Sequence, residues 1–577
     1  MIREEIKKLI RDSVGELQKN GDFPGFEIPE ISVEAQKEGK YGDYATNATF
    51  QLAKIAKKSP EEMARLIISQ FFTPSSILSL KEVEEEGGGE FSLCGDSPLL
   101  NPLPLRGGGK VGDVSFFEKV EAIGGFINFF ISKEYLQKQV GEILKQKEKF
   151  GSLKIGGKTK VNVEFISANP TGPLTLGNGR GGFCGDVLAN VLEKAGCKTT
   201  MEYYINDTGG QIKKLGHSII GDSEAVYKGD YIDDLRKEIK GNDPEKIGEK
   251  GARLLLKKMI KPTVKKMGIK FDIWFSEKKL AKEVGKTIDF LKDKGLTYEK
   301  EGALWFASSK FGDDKDRVLI KEDKEKTYFA SDIAYLKNKF SRGFDKLIFF
   351  LGADHYGYVA RMKAGAEALG HKKEQTDFIV AQLVRLIENG EEVKMSKRSG
   401  IYVTIDELIE EVGLDAARFF FLARSPDTHL DFDLKLAKDK SNKNPVYYIQ
   451  YAYARICSII KKCKNQNRIC VPTRQAQEVC AYLVGTRVGT RASELNLIKQ
   501  FIRFPEVIED TAKDYQIQRI PQYALSLADA FHKFYENCQV ITEDRNLTEA
   551  RLAVVGAAKI VLKNTLDLMG ISSPEKM

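Results

Sequence analysis

A short lysine-rich loop offers the first recognisable chemistry in this sequence. Three cations, Lys394, Lys397 and Arg398, stand within the segment EEVKMSKRSG, directly after the tight-turn pair Asn389-Gly390. Cations on a loop bounded by glycine can close on a triphosphate and follow the negative charge onto leaving pyrophosphate. A basic surface loop has the same composition, so the pattern needs a second element before it indicates phosphoryl chemistry.

A glycine-rich loop earlier in the chain provides that second element. Gly177, Gly179 and Gly182 form a literal GxGxxG between a predicted strand, KVNVEF, and a predicted helix, and Glu202 lies on the next predicted strand. This pattern is typical of dinucleotide-binding folds. Eleven residues separate Phe165 at the strand end from the first glycine, whereas a dinucleotide fingerprint turns directly off its strand. The longer loop favours a larger polar ligand, a nucleotide whose phosphates lie at the helix N-terminus.

Together the two loops resemble those of one enzyme family. EFISANPTGPLTLGNGR is similar to the signature region of arginyl-tRNA synthetases, which are class I aminoacyl-tRNA synthetases, and KMSK matches the first four places of their KMSKS motif. The resemblance places the family's HIGH motif on TLGN, so a hydroxyl and a carboxamide replace the two histidines that usually contact ATP phosphates. By this resemblance the ATP-binding residues are Thr175, Leu176, Gly177, Asn178, Gly179, Lys394, Met395, Ser396 and Lys397. The catalytic residues among them are Thr175, Gly177, Asn178, Lys394, Ser396 and Lys397.

An arginine substrate needs its own pocket, because the planar and permanently charged guanidinium requires carboxylates and other acceptors around it. The resemblance supplies four candidate arginine-binding residues, which are Glu164, Asn169, Tyr328 and Asp332. Asp354 is a fifth candidate, because it lies at the carboxyl end of a predicted apolar strand, where open α/β sheets bind ligands. Glu164 ends a predicted buried strand, where a carboxylate needs a partner. Asp332 could instead cap a helix, and Tyr328 could serve only in packing. Asn206 and Asp207 also match the family, although the segment NDTGG fits a simple turn.

The last quarter of the chain carries features expected of an RNA-binding surface. From Leu434 onward there are 22 Lys and Arg against 14 Asp and Glu, which accounts for the whole formal net charge of +8. The stretch NPVYYIQYAYAR resembles the family's entry into its helical anticodon-binding domain. Aromatic rings beside basic charge can stack single-stranded bases, so Tyr447, Tyr451 and Arg455 are candidate tRNA-binding residues. An aromatic helix core, or a solvated basic helix surface, is the alternative.

The elements that must position these residues follow from length and periodicity. At 577 residues the chain exceeds one domain, since a domain spans roughly 100 to 200 residues. From Lys160 predicted strands alternate with predicted helices, which indicates an α/β fold with a doubly wound parallel, Rossmann-like catalytic sheet. We predict an N-terminal α+β domain before this sheet, with VEAIGGFINFFIS as a single strand, and an all-helical C-terminal bundle after it.

The predicted domains cover residues 1–150, 151–405 and 406–577. The first contains a Gly- and Pro-rich loop at residues 73–112, and the resemblance implies that this domain contacts tRNA. The second is the catalytic domain, with a Lys-rich helical insertion at about 213–300. By resemblance, the third binds the anticodon.

Composition argues against several other classes of protein. No run of about 18 uncharged apolar residues occurs, and the N-terminus alternates charged and apolar residues at helical spacing, so we predict neither a membrane span nor a signal peptide. The eight cysteines form no CxxC pair, which argues against a zinc knuckle and a redox motif. We expect a cytoplasmic monomer with buried thiols and no dedicated metal site.

The resemblance implies a specific reaction. The chain is predicted to be an arginine-tRNA ligase that uses ATP with Mg²⁺ to activate L-arginine and transfers it to the 3′ end of tRNA(Arg). Family members generally need bound tRNA before activation, and we expect the same here. Three alternatives stay open on the sequence: a catalytically impaired tRNA-binding paralogue, motivated by Thr175 and Asn178, a class I synthetase for another amino acid, and a dinucleotide-dependent oxidoreductase.

Overall fold

A computed structural model describes residues 1–36, 39–71, 115–393, 404–465 and 491–577, without the side chains of 354–356, 464 and 465. The predicted lysine loop at 394–398 and the whole predicted Gly- and Pro-rich loop at 73–112 therefore lie outside the described residues. The chain divides into two compact units, each built from separate segments. Unit 1 comprises Met1–Glu148, Ser458–Glu506 and Asp529–Val561, and unit 2 comprises Lys149–Cys457, Val507–Ala528 and Leu562–Met577.

Unit 1 begins as an α+β structure. Its four strands form an antiparallel sheet in the order β1-β2-β4-β3. These strands are β1 (Glu34–Ala35), β2 (Tyr44–Thr46), β3 (Phe117–Ile123) and β4 (Phe126–Ile131). Its first helices are α1 (Ile2–Lys19), α2 (Ala48–Ala56), α3 (Pro60–Ser69) and α4 (Lys133–Gln146). Helix α3 begins with a Ser59 N-cap, whose hydroxyl accepts the Glu62 N–H at 3.2 Å.

The single strand predicted at residues 120–132 is wrong, because the segment folds into a hairpin. Gly124 and Gly125 form the turn with φ values of +54° and +84°, a region that glycine adopts at little cost. Strands β3 and β4 pair antiparallel on either side, with Ile123 opposite Phe126. The apolar run was continuous in sequence, so the two glycines were the only local signal of the reversal.

Unit 2 contains a five-stranded parallel sheet in the order β12-β11-β5-β6-β7. The strands of unit 2 are β5 (Lys160–Glu164), β6 (Lys198–Ile205), β7 (Ile273–Ser276), β8 (Thr297–Lys300), β9 (Ala303–Phe306), β10 (Arg317–Ile320), β11 (Lys346–Gly352), β12 (Thr376–Ala381), β13 (Val384–Glu388), β14 (Glu391–Glu392) and β15 (Leu430–Asp433). Strand β11 is buried on both faces, as expected where helices cover the sheet on both sides. Its buried residues include Leu347, Ile348 and Phe349. The predicted α/β fold with a parallel Rossmann-like sheet is confirmed.

The helices that follow connect these strands and then continue to the end of the chain. They are α5 (Leu176–Lys194), α6 (Gly209–Ile220), α7 (Asp230–Glu238), α8 (Pro244–Leu255), α9 (Lys261–Lys266), α10 (Ala281–Asp293), α11 (Tyr328–Ser341), α12 (Val359–Ala368), α13 (Ile405–Val412), α14 (Leu414–Leu422), α15 (Leu434–Lys438), α16 (Pro445–Asn465), α17 (Ala492–Asp514), α18 (Arg519–Asn537) and α19 (Arg545–Met569). The predicted helical C-terminal part is confirmed, with one exception: strand β15 pairs parallel with β13.

The predicted helical insertion at about 213–300 needs a correction. Helices α6 to α9 occupy most of it, but strand β7 lies within it and closes the edge of the parallel sheet, with Tyr203 opposite Trp274. The four-residue strand is flanked by lysine-rich helices, so its short apolar run carried too little periodicity to stand out. This strand matters for function because it delivers a carboxylate to the site described next.

Candidate active site

Four carboxylates surround Tyr204 at one edge of the parallel sheet. Glu164 ends β5, Asp207 follows β6, Glu277 follows β7, and Asp332 lies in the second turn of α11. Burial and then the charges of these four groups raise the pKa of the Tyr204 hydroxyl above its ordinary value. The carboxyl ends of parallel strands share one edge, which is where open α/β sheets bind ligands. Acidic residues far apart in sequence therefore converge on one pocket.

Three oxygens in or directly beside this acidic group are buried without a donor among the described residues, with Asn206 placed by its position between β6 and Asp207. They are Asp332 Oδ2, Glu277 Oε2 and Asn206 Oδ1. Burial, with Glu277 and Glu164 nearby, raises the pKa of Asp332 well above its ordinary value, although Arg361 acts in the opposite direction. Burial also raises the pKa of Glu277. Acceptors left unpaired in a buried site are costly, and a planar cation with several N–H donors would satisfy them.

The two remaining carboxylates already have partners. The Ser276 hydroxyl donates to Asp207 at 2.7 Å, so Asp207 is partly engaged within the protein. The Ser167 hydroxyl donates to Glu164 Oε1 at 3.2 Å, and Lys339 Nζ lies 2.7 Å from Glu164 Oε2. Ser167 stands in a sharp turn with a φ of +40°, a strained conformation for a residue other than glycine. That turn brings its hydroxyl back onto Glu164.

The other predicted arginine-binding residues lie outside this buried group. Tyr328 begins α11 but is 61% exposed. A Cβ placed on Gly209 would lie 3.3 Å from the Tyr328 hydroxyl, so that ring lies over the start of α6. Asn169 is exposed. Asp354 lies in the 3₁₀ turn that follows β11, and its side chain is outside the described part of the structure. The structure thus brings Glu164 and Asp332 together and leaves Asn169 and Tyr328 exposed.

The glycine loop after β5 presents Thr175 and Asn178 at the start of α5. The Thr175 N–H and the Thr175 hydroxyl both donate to Asn178 Oδ1, each at 3.0 Å. A backbone N–H is always a donor, so the carboxamide must present its oxygen inward. The Nδ2 amide group is then the part left to donate to a ligand. Leu176 and Gly179 are buried, whereas Gly177 is exposed.

The chain returns from the lysine loop directly onto this glycine loop. Residues 394–403 lie outside the described part, but Thr404 forms an isolated antiparallel bridge with Thr175. The Ile405 N–H donates to the Leu174 carbonyl at 3.0 Å. A Cβ on Gly179 would come within 2.5 Å of Ile405 Cδ1, so only glycine admits this close approach. The chain that follows the lysine loop therefore contacts the glycine loop at Thr404 and Ile405.

Glu202, which would bind a ribose in a dinucleotide fold, has a different role. It is completely buried and accepts hydrogen bonds from Asn162 at 2.9 Å and from Arg342 at 2.8 and 3.0 Å. The Tyr335 hydroxyl also donates to it. Burial disfavours the charged form, but Lys339, Arg342 and Tyr335 together lower the pKa of Glu202. A carboxylate saturated inside the protein cannot read a ribose, so the dinucleotide interpretation is wrong.

The three predicted RNA-binding residues form one cluster on α16. The rings of Tyr447 and Tyr451 are stacked, with centroids 6.2 Å apart and an interplanar angle of 11°. Arg455 donates to the Tyr451 hydroxyl at 2.8 Å, and its guanidinium lies 4.6 Å from the centre of that ring. All three side chains are half-buried. The helical spacing of four residues places them in one row along the helix.

Other sites are absent from the part of the chain that the structure describes. There, no group of three or more His, Cys, Asp or Glu residues could hold a metal ion. No helix within the same ranges is long and apolar enough to cross a membrane. Of the cysteines in those ranges, Cys184, Cys457, Cys463 and Cys538 are buried, and Cys197 is half-buried.

Glu277 and Lys339 are the functional candidates that sequence reasoning missed. Glu277 follows the short strand β7, which lies in the stretch that the sequence predicts as a helical insertion, so the sequence gives no sign of its position at the carboxyl edge. Recognising IWFS as a strand would have been the signal. Lys339 stands seven residues after Asp332, on the same face of the helix, which was a usable hint.

A parallel sheet with an acidic pocket at its carboxyl edge, beside a glycine loop that opens a helix, defines the catalytic domain of a class I aminoacyl-tRNA synthetase. Residues 139–433 match the family model described as the catalytic domain of class I tRNA synthetases (R). Residues 4–89 match the arginyl-tRNA synthetase N-terminal domain, and residues 449–577 match the DALR anticodon-binding domain.

Relatives of known function agree over the whole length. The chain is 42% identical to the arginine-tRNA ligase of Carboxydothermus hydrogenoformans, over 95% of this chain and 94% of that protein. It is 41% identical to that of Caldanaerobacter subterraneus subsp. tengcongensis, over 100% and 99% respectively. The arginyl-tRNA synthetase of Thermus thermophilus shares the fold, with a TM-score of 0.72 at 20% identity and full coverage of both chains. The chain belongs to the arginyl-tRNA synthetase family, and it is an arginine-tRNA ligase. Membership implies arginine, ATP and tRNA as its substrates, with Mg²⁺ generally accompanying ATP.

Proposed function

We propose that the substrate guanidinium binds between Asp332 and Glu277, with Asn206 as a further acceptor. The observation that carries this assignment is the set of three buried oxygens without donors among the described residues. Arginine presents five N–H donors in a fixed plane, so one ligand can satisfy all three acceptors. Glu164 closes the same pocket from the end of β5, and Asn169, Tyr328 and Asp354 remain proposed contacts around it.

ATP is proposed to bind at the glycine loop and the start of α5. The Nδ2 group of Asn178 is positioned to donate where the family uses a histidine, since its Oδ1 is held by Thr175. Leu176, Gly177 and Gly179 would complete this wall, and the N-terminus of the helix favours phosphate charge. Lys394, Met395, Ser396 and Lys397 would cover the triphosphate from the second loop. Mg²⁺ is proposed to enter with ATP, without a dedicated protein site.

The proposed chemistry needs no protein nucleophile. The arginine carboxylate attacks the α-phosphorus of ATP, the bond to the bridging oxygen breaks, and pyrophosphate leaves with that oxygen. A terminal hydroxyl of tRNA then attacks the arginyl carbonyl, and AMP departs. The protein contributes by holding the two substrates in line and by stabilising the charge that develops on the phosphates. Lys394, Ser396, Lys397, Thr175, Gly177 and Asn178 are the proposed groups for that second task.

Three parts of the chain are proposed to divide the work on tRNA. Residues 1–150 would contact the body of the tRNA, residues 151–405 would carry the chemistry, and residues 406–577 would bind the anticodon. The three family matches support this division, because they fall in the same order along the chain. Tyr447, Tyr451 and Arg455 would stack and neutralise single-stranded nucleotides. We propose a monomer that acts in the cytoplasm.

Activation is also proposed to require bound tRNA(Arg). The test is arginine-dependent exchange of pyrophosphate into ATP, measured with and without tRNA(Arg). The proposal expects exchange only when tRNA(Arg) is present, and only with arginine among the amino acids. Equal exchange without tRNA would refute the requirement. An absence of exchange under both conditions would mean that the hydroxyl and carboxamide at Thr175 and Asn178 do not replace the usual imidazoles.

A further inference from the structure

Helix α11 carries a row of polar side chains through the interior of unit 2. Asp332, Tyr335, Lys339 and Arg342 follow one another at spacings of three and four residues, so they share one face of the helix. Asp332 belongs to the proposed arginine pocket, and Arg342 binds Glu202. Lys339 lies between them and is completely buried. A buried ammonium is costly unless it is paired, so its partners indicate its purpose.

Lys339 contacts two carboxylates, and only one of them has a second cation beside it among the described residues. Its Nζ lies 2.7 Å from Glu164 Oε2 and 3.8 Å from Glu202 Oε1, and it donates to the side-chain oxygen of Asn162. Glu202 already has a cation of its own, because Arg342 binds both of its oxygens. For Glu164, by contrast, no other basic side chain of the described residues lies within 4.0 Å. The charge of Lys339 also helps to lower the pKa of Glu202, but Glu164 is the carboxylate that it contacts at 2.7 Å without help from a second cation of the described residues.

The position of the ammonium is well defined. It lies 4.7 Å from the centre of the Tyr335 ring and 4.8 Å from that of Phe349, which contribute aromatic faces on which a cation is favoured. Asn162, on β5 itself, links it to the strand that ends in Glu164. The lysine side chain is thus fixed by the helix, the strand and two rings. It can hold the Glu164 carboxylate at one place in the pocket.

We propose that Lys339 is a positioning residue for arginine binding, which acts by holding the Glu164 carboxylate and offsetting its charge. The inference rests on the proposed role of Glu164 in the arginine pocket. Without Lys339, Glu164 would keep only neutral hydroxyl partners, Ser167 and the neighbouring Tyr335, and no cation would offset its charge. The carboxylate would then be free to turn toward water. Arginine would then bind more weakly, because one of its acceptors is displaced. The binding of ATP at the separate glycine loop would change little.

The test is a double-mutant cycle on aminoacylation kinetics. Lys339→Met retains much of the side-chain length and removes the charge, and Glu164→Gln removes the carboxylate charge. The proposal expects Lys339→Met to raise the KM for arginine about tenfold or more, with the KM for ATP changed less than about twofold. Lys339→Arg should restore most of the arginine affinity. In the Glu164→Gln variant, the additional change Lys339→Met should raise the KM for arginine little further.

Lys337→Met is the matched control, because it removes a lysine from the same helix. Lys337 lies over the Phe290 ring, 4.5 Å from its centre, and is not part of the proposed pocket. If Lys337→Met raises the KM for arginine as much as Lys339→Met does, the inference is overturned. It is also overturned if the effects of Lys339→Met and Glu164→Gln on this KM are fully additive. If Glu164→Gln by itself leaves the arginine KM unchanged, the proposed role of Glu164 fails first.

A folding defect would not leave the inference untested. If Lys339→Met alone does not give folded protein by circular dichroism, the double variant is measured instead. That variant buries neither the lysine charge nor the unpaired Glu164 charge, so it should fold, with an arginine KM equal to that of Glu164→Gln. An arginine KM clearly higher than that of Glu164→Gln would overturn the proposal.

Discussion

Thr404 pairs with Thr175 across an antiparallel bridge. Thr404 is the first residue described after the lysine loop, and Thr175 immediately precedes helix α5, where we propose that ATP binds. The Ile405 N–H strengthens the junction by donating to the Leu174 carbonyl at 3.0 Å. Thr404 and Ile405, the first residues described after the lysine loop, are therefore held beside the proposed ATP site.

The first prediction concerns the close contact that supports this junction. Gly179→Ala should lower the free energy of unfolding by about 1 to 3 kcal/mol, because the new Cβ would lie 2.5 Å from Ile405 Cδ1 in a packed interior. We also expect a lower kcat for aminoacylation, since Ile405 follows the lysine loop. Urea unfolding and steady-state charging measure the two effects. Gly181→Ala is the control, because a Cβ there would meet nothing within 4 Å. Equal stability of the two variants would contradict the packing argument.

A second prediction separates the arginine pocket from the catalytic loop. Asp332→Ala should mainly raise the KM for arginine, by about 10- to 150-fold, because a charge-assisted hydrogen bond contributes about 1.5 to 3 kcal/mol. Lys397→Ala should mainly lower kcat, by about 100- to 1,000-fold, because it removes a group that stabilises developing charge. Initial rates at varied arginine and varied ATP distinguish the two patterns. The reverse assignment of effects would refute both proposed roles.

A third prediction follows from the raised pKa values of Asp332 and Glu277. A carboxyl whose pKa is raised keeps its proton above the ordinary range, whereas the guanidinium binds the ionised form, so arginine binding should release a proton. The arginine affinity should rise as the pH rises through the pKa of the free pocket, and it should level off above it. Calorimetry in two buffers of different ionisation enthalpy measures the released protons. Arginine binding to the Asp332→Asn variant should release fewer protons. Proton uptake on arginine binding would contradict the pocket assignment.

The fourth prediction concerns the tyrosine and arginine cluster on α16. Tyr451→Ala should raise the KM for tRNA by about 5- to 150-fold, since stacking on one aromatic ring contributes about 1 to 3 kcal/mol for each base. The KM values for arginine and ATP should change little. Charging assays at varied tRNA concentration test this. Tyr453→Phe is the control on the same helix, because Tyr453 is buried. A normal tRNA KM in Tyr451→Ala would favour the alternative that these rings only pack.

Much of the fold and part of the site could be predicted from local patterns. Alternating apolar strands and helices indicated the parallel sheet, and the structure confirms it. Glu164 and Asp332 were identified by resemblance, and the structure places both in one electrostatic group. Strand β7 and the turn at Gly124 were missed, because a short strand between lysine-rich helices and a glycine pair within an apolar run give weak periodic signals.

The amino-acid sequence by itself determined the family and the kind of sheet, and it indicated the two loops that we propose for nucleotide binding. Only the tertiary structure decided which charged groups share a partner. It assigned Glu202 to Arg342, left Glu277 beside Asp332, and put the buried Lys339 against Glu164. The physical reason is that periodicity reports which face of an element is buried, whereas the pairing of charges depends on side chains that meet across strands far apart in the chain.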